Sequence, residues 1–259
     1  MSAPVSRDGE TVAAKNQAAA RVAQILSAFD DHVDELGVME VSARTGLDKS
    51  VTHRILDTLC GYGLLEREPV HRRYRVGFRI HQLGQRYSPA RTAQDAVRPL
   101  LTGLLEEVGG TGYVGRLDGA DIVYLDALNG PGPLQVRVQV GGRVPTYATA
   151  LGKALLAFEP AEVVAGLRLA PETAHTIRSH ERLAAELDQV RSRGFAVNHE
   201  EHLTGVGAVG VPVHTGGVRP IFAVSVAFPL LRGNDRLYDE LPGRLKELAT
   251  AVTTRLRGD

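Results

Sequence analysis

Cysteine is almost absent from this chain, with Cys60 the only one in 259 residues. A disulfide within the chain and a cysteine-built metal site are thereby excluded, and a reducing cytosol suits the composition. An excess of charge of either sign is also missing, since 30 Lys and Arg balance 30 Asp and Glu. Net charge therefore points neither to nucleic acid nor to a membrane. No apolar run approaches the roughly 20 residues of a membrane span. The opening stretch MSAPVSRDGE lacks the hydrophobic core of a secretory signal. These absences predict a cytoplasmic protein. No repeat of solenoid period appears. Nor does a GxSxG elbow or a Gly-rich phosphate loop, so no enzyme and no cofactor are expected.

What is present is ordinary globular material, 43% hydrophobic and 23% charged, in a length that predicts two domains. The charge is unevenly spread. Residues 65–86 carry six arginines against Glu66 and Glu68, whereas residues 30–40 carry five acids and no base. One segment of the N-terminal third is thus locally positive inside a neutral chain.

Residues 1–15 are small and polar and read as a disordered arm. Ala18, Val22, Ile25, Leu26 and Phe29 recur at helical spacing. A short second helix follows from Val38 through Ala43, and Gly46 supplies a turn where positive φ is cheapest. Asp48 and Ser50 are candidate caps for a third helix. There Thr52, Ile55, Leu56 and Leu59 form one apolar face, and Gly61 and Gly63 end it. Two short strands, 64–67 and 74–76, flank a turn holding Pro69, and helical spacing resumes to residue 87. This is the order of a winged helix-turn-helix over 16–76, followed by a linker helix over 77–90.

Residues 91–259 alternate helix and strand. Helices are expected at 92–108 (with a kink at Pro99), 149–158, 182–193 and 235–257. Strands are expected at 113–117, 122–127, 134–140, 195–198, 206–214 and 219–228. The sum is an α+β effector and oligomerisation domain around an antiparallel sheet.

The second helix of a helix-turn-helix pair enters the major groove by its N-terminal residues. Lys49, Ser50, His53, Arg54 and Asp57 of the third helix lie off its apolar face. Arg54 suits bidentate contact with guanine or phosphate. Arg72 and Arg73 sit at the tip of the basic hairpin, where a wing meets the backbone or minor groove. Arg44, on the second helix, completes the expected DNA-contacting set. The bland readings are a solvated basic turn and a surface histidine. The three helices, wing and basic tip within about 60 residues weigh against them.

The chain resembles the IclR family of bacterial regulators over about residues 18–258. The resemblance is carried by GLDKSVTHRILDTLCGYGLLE and RRYRVGFRIHQLG in the N-terminal half. GGRVPTYATALGKALLAF and RSRGFAVNHEEHLTGVGAVGVPV carry it in the C-terminal half. It implies a repressor or activator with a GAF-like effector domain. It also implies a homodimer or dimer of dimers on a palindromic operator. Where the family usually has Thr then a small apolar residue, this chain has Val51 then Thr52, so Val51 is expected to face DNA, against a thymine methyl. The family often has cysteine at Ala208 and an acid at Asn198.

The resemblance places Ala150 and Leu151 at the anion end of an effector pocket, with Asn198, Ala208 and Ser225 on the facing sheet. Tyr147 and Ala148 precede the helix at 149–158, whose first amides suit a carboxylate. Tyr113, Tyr124 and Val138 are further wall candidates, although a tyrosine on a strand is more often core. Lys153 resembles an anion binder, but the family uses the position inside a structural helix. Uncharged Asn198 and small Ala208 favour a roomy cavity for a small organic acid, an aromatic one included. His199, Glu200, Glu201 and His202 form a dense polar run without the HExxH spacing of a catalytic metal helix. Three function classes stay open: a ligand-controlled regulator, an architectural DNA binder with an unliganded effector domain, and a GAF-type enzyme fused to a DNA module. Gel shifts with metabolites separate the first two, and turnover assays test the third.

Overall fold

The computed structural model describes residues 16–29, 35–84, 86, 88–132, 136, 138–231 and 233–257. The expected arm at 1–15 and residues 134, 135 and 137 of the expected strand at 134–140 lie outside these residues. The chain divides into two compact units, Met1–Ser88 and Pro89–Asp259. Among the described residues no helix is long and apolar enough to cross a membrane.

The first unit is built from α1 (Gln17–Ser27), α2 (Val38–Thr45), α3 (Lys49–Gly61), the hairpin β1 (Leu65–Arg67) and β2 (Tyr74–Val76), and α4 (Phe78–Gly84). Asn16 starts α1 by accepting from the Ala18 and Ala19 amides at 3.0 and 3.2 Å. The α2–α3 turn depends on Gly46, whose φ of 72° is costly for other residues. Ile25, Leu36, Val41, Leu56, Leu59, Leu65 and Tyr74 share one buried core. Within it Leu36 exchanges two backbone hydrogen bonds of 2.8 Å with Tyr74, adding a third short rung to the wing. The predicted caps of α3 are not made: Asp48 stands at the N-cap without a side-chain hydrogen bond. The turn is held instead by Ser42, which donates to the Leu47 carbonyl at 2.6 Å. The predicted linker helix is likewise shorter, since α4 ends at Gly84 and a new helix begins at Ser88. Pro89 falls in that helix's first turn, where its missing N–H costs nothing.

The second unit contains α5 (Ser88–Val108), β3 (Thr111–Asp118), β4 (Asp121–Asn129), β5 (Arg143–Pro145) and α6 (Ala150–Leu156). It continues through α7 (Ala161–Ala165), α8 (His180–Arg193), β6 (Ala196–His199), β7 (Val206–Val213), β8 (Phe222–Pro229) and α9 (Leu237–Arg257). The six strands form one antiparallel sheet in the order β5-β4-β3-β8-β7-β6. Residue 136 and residues 138–140, where a strand was expected, belong to none. The strand on that edge is β5. The expected helix at 149–158 is the seven-residue α6, and the 219–228 strand runs from Phe222 to Pro229.

Side chains alternate across a strand, and β8 divides cleanly. Phe222, Val224, Val226 and Phe228 join Val209, Val211 and Val213 of β7 under α5 and α9. Ala223 and Ala227 turn the other way, into a second cluster with Ala208, Tyr113, Tyr124 and helices α6 and α8. Small residues let α6 press on that side: a Cβ added to Gly210 would lie 2.8 Å from the Ala150 carbonyl oxygen. Asp126, buried beneath α5, is clasped by Arg98 through bonds of 2.6 and 2.7 Å.

Candidate DNA interface and effector site

Helix α3 buries Thr52, Leu56 and Leu59 and packs half-buried Ile55 against the same core. Lys49, Ser50 and Arg54 are exposed, and Val51 and His53 half-buried. Thr52 is fully buried, so Val51 is the member of that pair nearer the surface. His53 Nδ1 lies 3.1 Å from Asp57 Oδ2 one turn on. In the wing, Glu68 accepts from the Val70 and His71 amides and closes the turn. These bonds, that from His71 foremost, hold its carboxyl below the usual carboxylate range. Arg72 stands exposed beyond them at φ 54°.

Two of the expected DNA contacts also bond within the protein's own structure. Arg44 donates from Nη1 to the Ala28 carbonyl at 2.9 Å, tying the end of α2 to the end of α1. Arg73 reaches back from the wing to the Glu35 carbonyl at 2.9 Å and to Glu40 Oε2 at 2.7 Å. Glu40 also accepts from the Gly37 amide at 2.6 Å. That bond first, and Arg73 second, lower its pKa. The Ala28 carbonyl at the end of α1 is one that helix geometry leaves without an intrahelical partner.

The effector-site candidates gather on the alanine-bearing side of the sheet. Ala148, Ala150, Leu151 and Ala208 belong to one buried cluster, together with Tyr147. By register Ala208 pairs with Asn198 and Ala227, and Ser225 lies between Gly210 and Tyr113. The Tyr113 and Tyr124 rings stand 5.1 Å apart. The Tyr113 hydroxyl donates to the Val136 carbonyl. Burial pushes the Tyr124 phenol up to about 12 and raises that of Tyr113 as well.

Three candidates also make contacts within the protein. Asn198 donates to the Ala148 carbonyl at 2.9 Å and accepts from the Glu201 amide at 2.8 Å. Both ends of its amide therefore brace the chain, each with one further hydrogen-bonding position. The Tyr147 hydroxyl lies 3.0 Å from both the amide and the carbonyl oxygen of Ala170, and 3.2 Å from Glu172 Oε1. The Leu151 side chain packs beside Gly115, where an added Cβ would lie 2.7 Å from its Cδ2. The first turn of α6 is partly satisfied too, since Thr149 Oγ1 accepts from the Gly152 amide at 3.0 Å.

Among the described residues no group of three or more metal-capable side chains converges. His199 lies against the Tyr238 ring, with centroids 4.1 Å apart, and burial lowers its pKa. Glu201 meets Lys153 Nζ at 2.5 Å, with Glu186 Oε1 at 3.7 Å from the same nitrogen. Lys153 is 1% exposed. Burial raises the Glu201 pKa and Lys153 pulls it back. The structural reading of Lys153 is the one the coordinates support. Cys60 is half-buried at the end of α3, and burial raises its thiol pKa, which disfavours a nucleophile. Sequence reasoning missed Asp57, Tyr74 and Glu201 as partners, because each pair but His53–Asp57 spans a long stretch of chain.

Residues 18–69 match the IclR helix-turn-helix domain, and residues 90–254 match the bacterial transcriptional regulator IclR C-terminal domain. The probable transcriptional regulator SauR of Cupriavidus necator is 35% identical over 236 residues, covering 90% of this chain and 91% of that one. The regulator XynR of Escherichia coli is 30% identical over 244 residues, covering 93% and 97%. Among solved structures, an IclR homologue complexed with 4-hydroxybenzoate from Microbacterium hydrocarbonoxydans superposes with a TM-score of 0.83. It is 24% identical, with 93% of this chain and all of that chain covered. The named relatives are transcriptional regulators rather than enzymes.

Proposed function

The chain belongs to the IclR family of bacterial transcriptional regulators, and from that membership we propose how it reads DNA and what it senses. Helix α3 enters the major groove of a two-fold symmetric operator, one half-site per protomer of a homodimer or dimer of dimers. Lys49, Ser50, Val51, His53 and Arg54 face the DNA, and Arg72 of the wing contacts the backbone. The observation that carries this reading is the division of α3, with Thr52, Leu56 and Leu59 in the core and Lys49, Ser50 and Arg54 exposed. The uncapped Asp48 leaves first-turn amides for phosphate as well. Arg54→Ala is expected to lower operator affinity roughly 5- to 150-fold, measured by fluorescence anisotropy on duplexes selected from random DNA. The oligomeric state by sedimentation stays unchanged. Undiminished affinity would remove α3 from the groove.

The second unit senses a small organic acid on the side of the sheet bearing Ala208 and Ser225. Tyr113, Tyr124 and Val138 form walls, with Ala148, Ala150 and Leu151 at the edge. Small side chains beside two phenols suit an aromatic carboxylate, so 4-hydroxybenzoate is the first probe. A bound acid raises the thermal midpoint of the native protein and shifts operator affinity by its differential affinity for two states. Ala208→Phe is expected to abolish both responses while leaving operator binding intact. An unaltered dose–response curve in that variant counts against this location.

A further inference from the structure

A line of three side chains runs from the core of the first unit to the outer face of α3. Tyr74 on β2 is fully buried, and its hydroxyl donates to Asp57 Oδ1 at 3.4 Å. The Arg67 guanidinium lies 5.6 Å from the Tyr74 ring centroid. The other carboxylate oxygen, Oδ2, lies 3.1 Å from His53 Nδ1. His53 in turn stands one helical turn from Lys49, with its side chain 45% exposed. The carboxylate thus has one oxygen anchored inward and one committed to the imidazole.

We infer that Asp57, anchored by Tyr74, fixes which nitrogen of His53 carries the hydrogen and so decides which base α3 reads at one operator position. A carboxylate only accepts, so an oxygen 3.1 Å away favours the tautomer with the hydrogen on Nδ1. In the neutral ring Nε2 is then the acceptor, on a side chain 45% exposed. Such an acceptor matches the exocyclic amine of adenine or cytosine in the major groove and meets the guanine O6 and N7 acceptors unfavourably. An exposed pair one turn apart on a helix adds little stability; its effect here is orientation and tautomer. Asp57 is a positioning residue, and His53 the residue in contact with the base. The inference rests on the reading of α3 as the groove helix.

The test is selection of duplexes from a random pool at about pH 8. Full-length wild type, His53→Ala, Asp57→Asn and Asp57→Ala are compared, with Lys49→Ala and Arg54→Ala as controls. The wild type is expected to prefer adenine or cytosine in one column of each half-site. His53→Ala should reduce that preference, about tenfold or more, to near unity while sparing the other columns. Asp57→Ala should flatten the same column. Asp57→Asn gives the sharpest readout. The Tyr74 hydroxyl keeps Oδ1, so the new amide turns its NH2 toward Nδ1 and donates. The ring hydrogen moves to Nε2, and the preference shifts toward guanine. A merely structural role for Asp57 would lower the thermal midpoint without moving that column, and that result would overturn the inference. So would a wild-type guanine preference there, an unchanged column in His53→Ala, or an Asp57→Asn profile equal to wild type. Failure of the underlying reading looks different: Lys49→Ala and Arg54→Ala would leave affinity and every column intact.

Discussion

Gly152→Ala is expected to destabilise the second unit by at least about 3 kcal/mol, read as a loss of the denaturation midpoint at unchanged slope. Helix propensity alone argues the opposite, because alanine gains roughly 1 kcal/mol over glycine inside a helix. Space decides the sign. A Cβ at this position would lie 2.2 Å from the Thr146 carbonyl oxygen and 2.5 Å from its Cα. Those are backbone atoms, and they cannot step aside as a side-chain tip does. Thr146 is itself pinned, its amide and hydroxyl bonded to the Ala120 carbonyl at 3.3 and 2.9 Å. The methyl group therefore has to lift α6 from the 145–149 segment, taking with it the helix's contact with Gly210. A variant as stable as wild type would show that this segment relaxes freely and that the close approach is incidental.

Lys153→Met should cost about 3–5 kcal/mol near pH 7.5, because it strands a buried carboxylate. Glu201 has 8% side-chain exposure. Its Oε1 holds Lys153 and its Oε2 has no hydrogen-bond partner. Glu186 keeps Arg193 at 2.7 Å when the lysine is gone, so Glu201 is the group left uncompensated. The sign with pH follows from the direction of its shift. Burial raises the folded pKa, so protonation favours the folded state. The corresponding stability is present below the unfolded value of ~4.3 and is lost as pH rises through the folded pKa. Removing the lysine raises that folded pKa further. The deficit relative to wild type should thus shrink as pH falls from 7.5 toward 5. A deficit that is constant over this range, or under about 1 kcal/mol throughout, would assign the buried pair no such role.

The parts legible in the sequence are those written in local periodicity. The apolar spacing of α3, the arginine-flanked hairpin and the alternation of β7 and β8 each specify an element and the face it buries. The stretch 134–140 also alternates, yet its described residues form no strand. Alternation shows what a segment is able to form, but not whether a neighbouring strand is there to accept its hydrogen bonds. Side-chain roles were harder to read, because partners lie far along the chain. Asn198 bonds across 50 residues to Ala148, Lys153 across 48 to Glu201, and Arg73 across 33 to Glu40. Nothing near Asn198 announces a carbonyl brought to it by another element. A buried amide therefore read as a free ligand donor, and an arginine at a wing tip as a DNA contact.

The two-sidedness of β8 bears on how such a protein can diversify. Its valine and phenylalanine side carries apolar burial shared with α5 and α9, whereas the alanine and serine side carries comparatively little. Substitutions at Ala208, Ser225 or Ala227 are therefore separated by the sheet from the cluster under α5 and α9. With the proposed effector site on the small-residue surface, exchanges there leave the packing under α5 and α9 untouched.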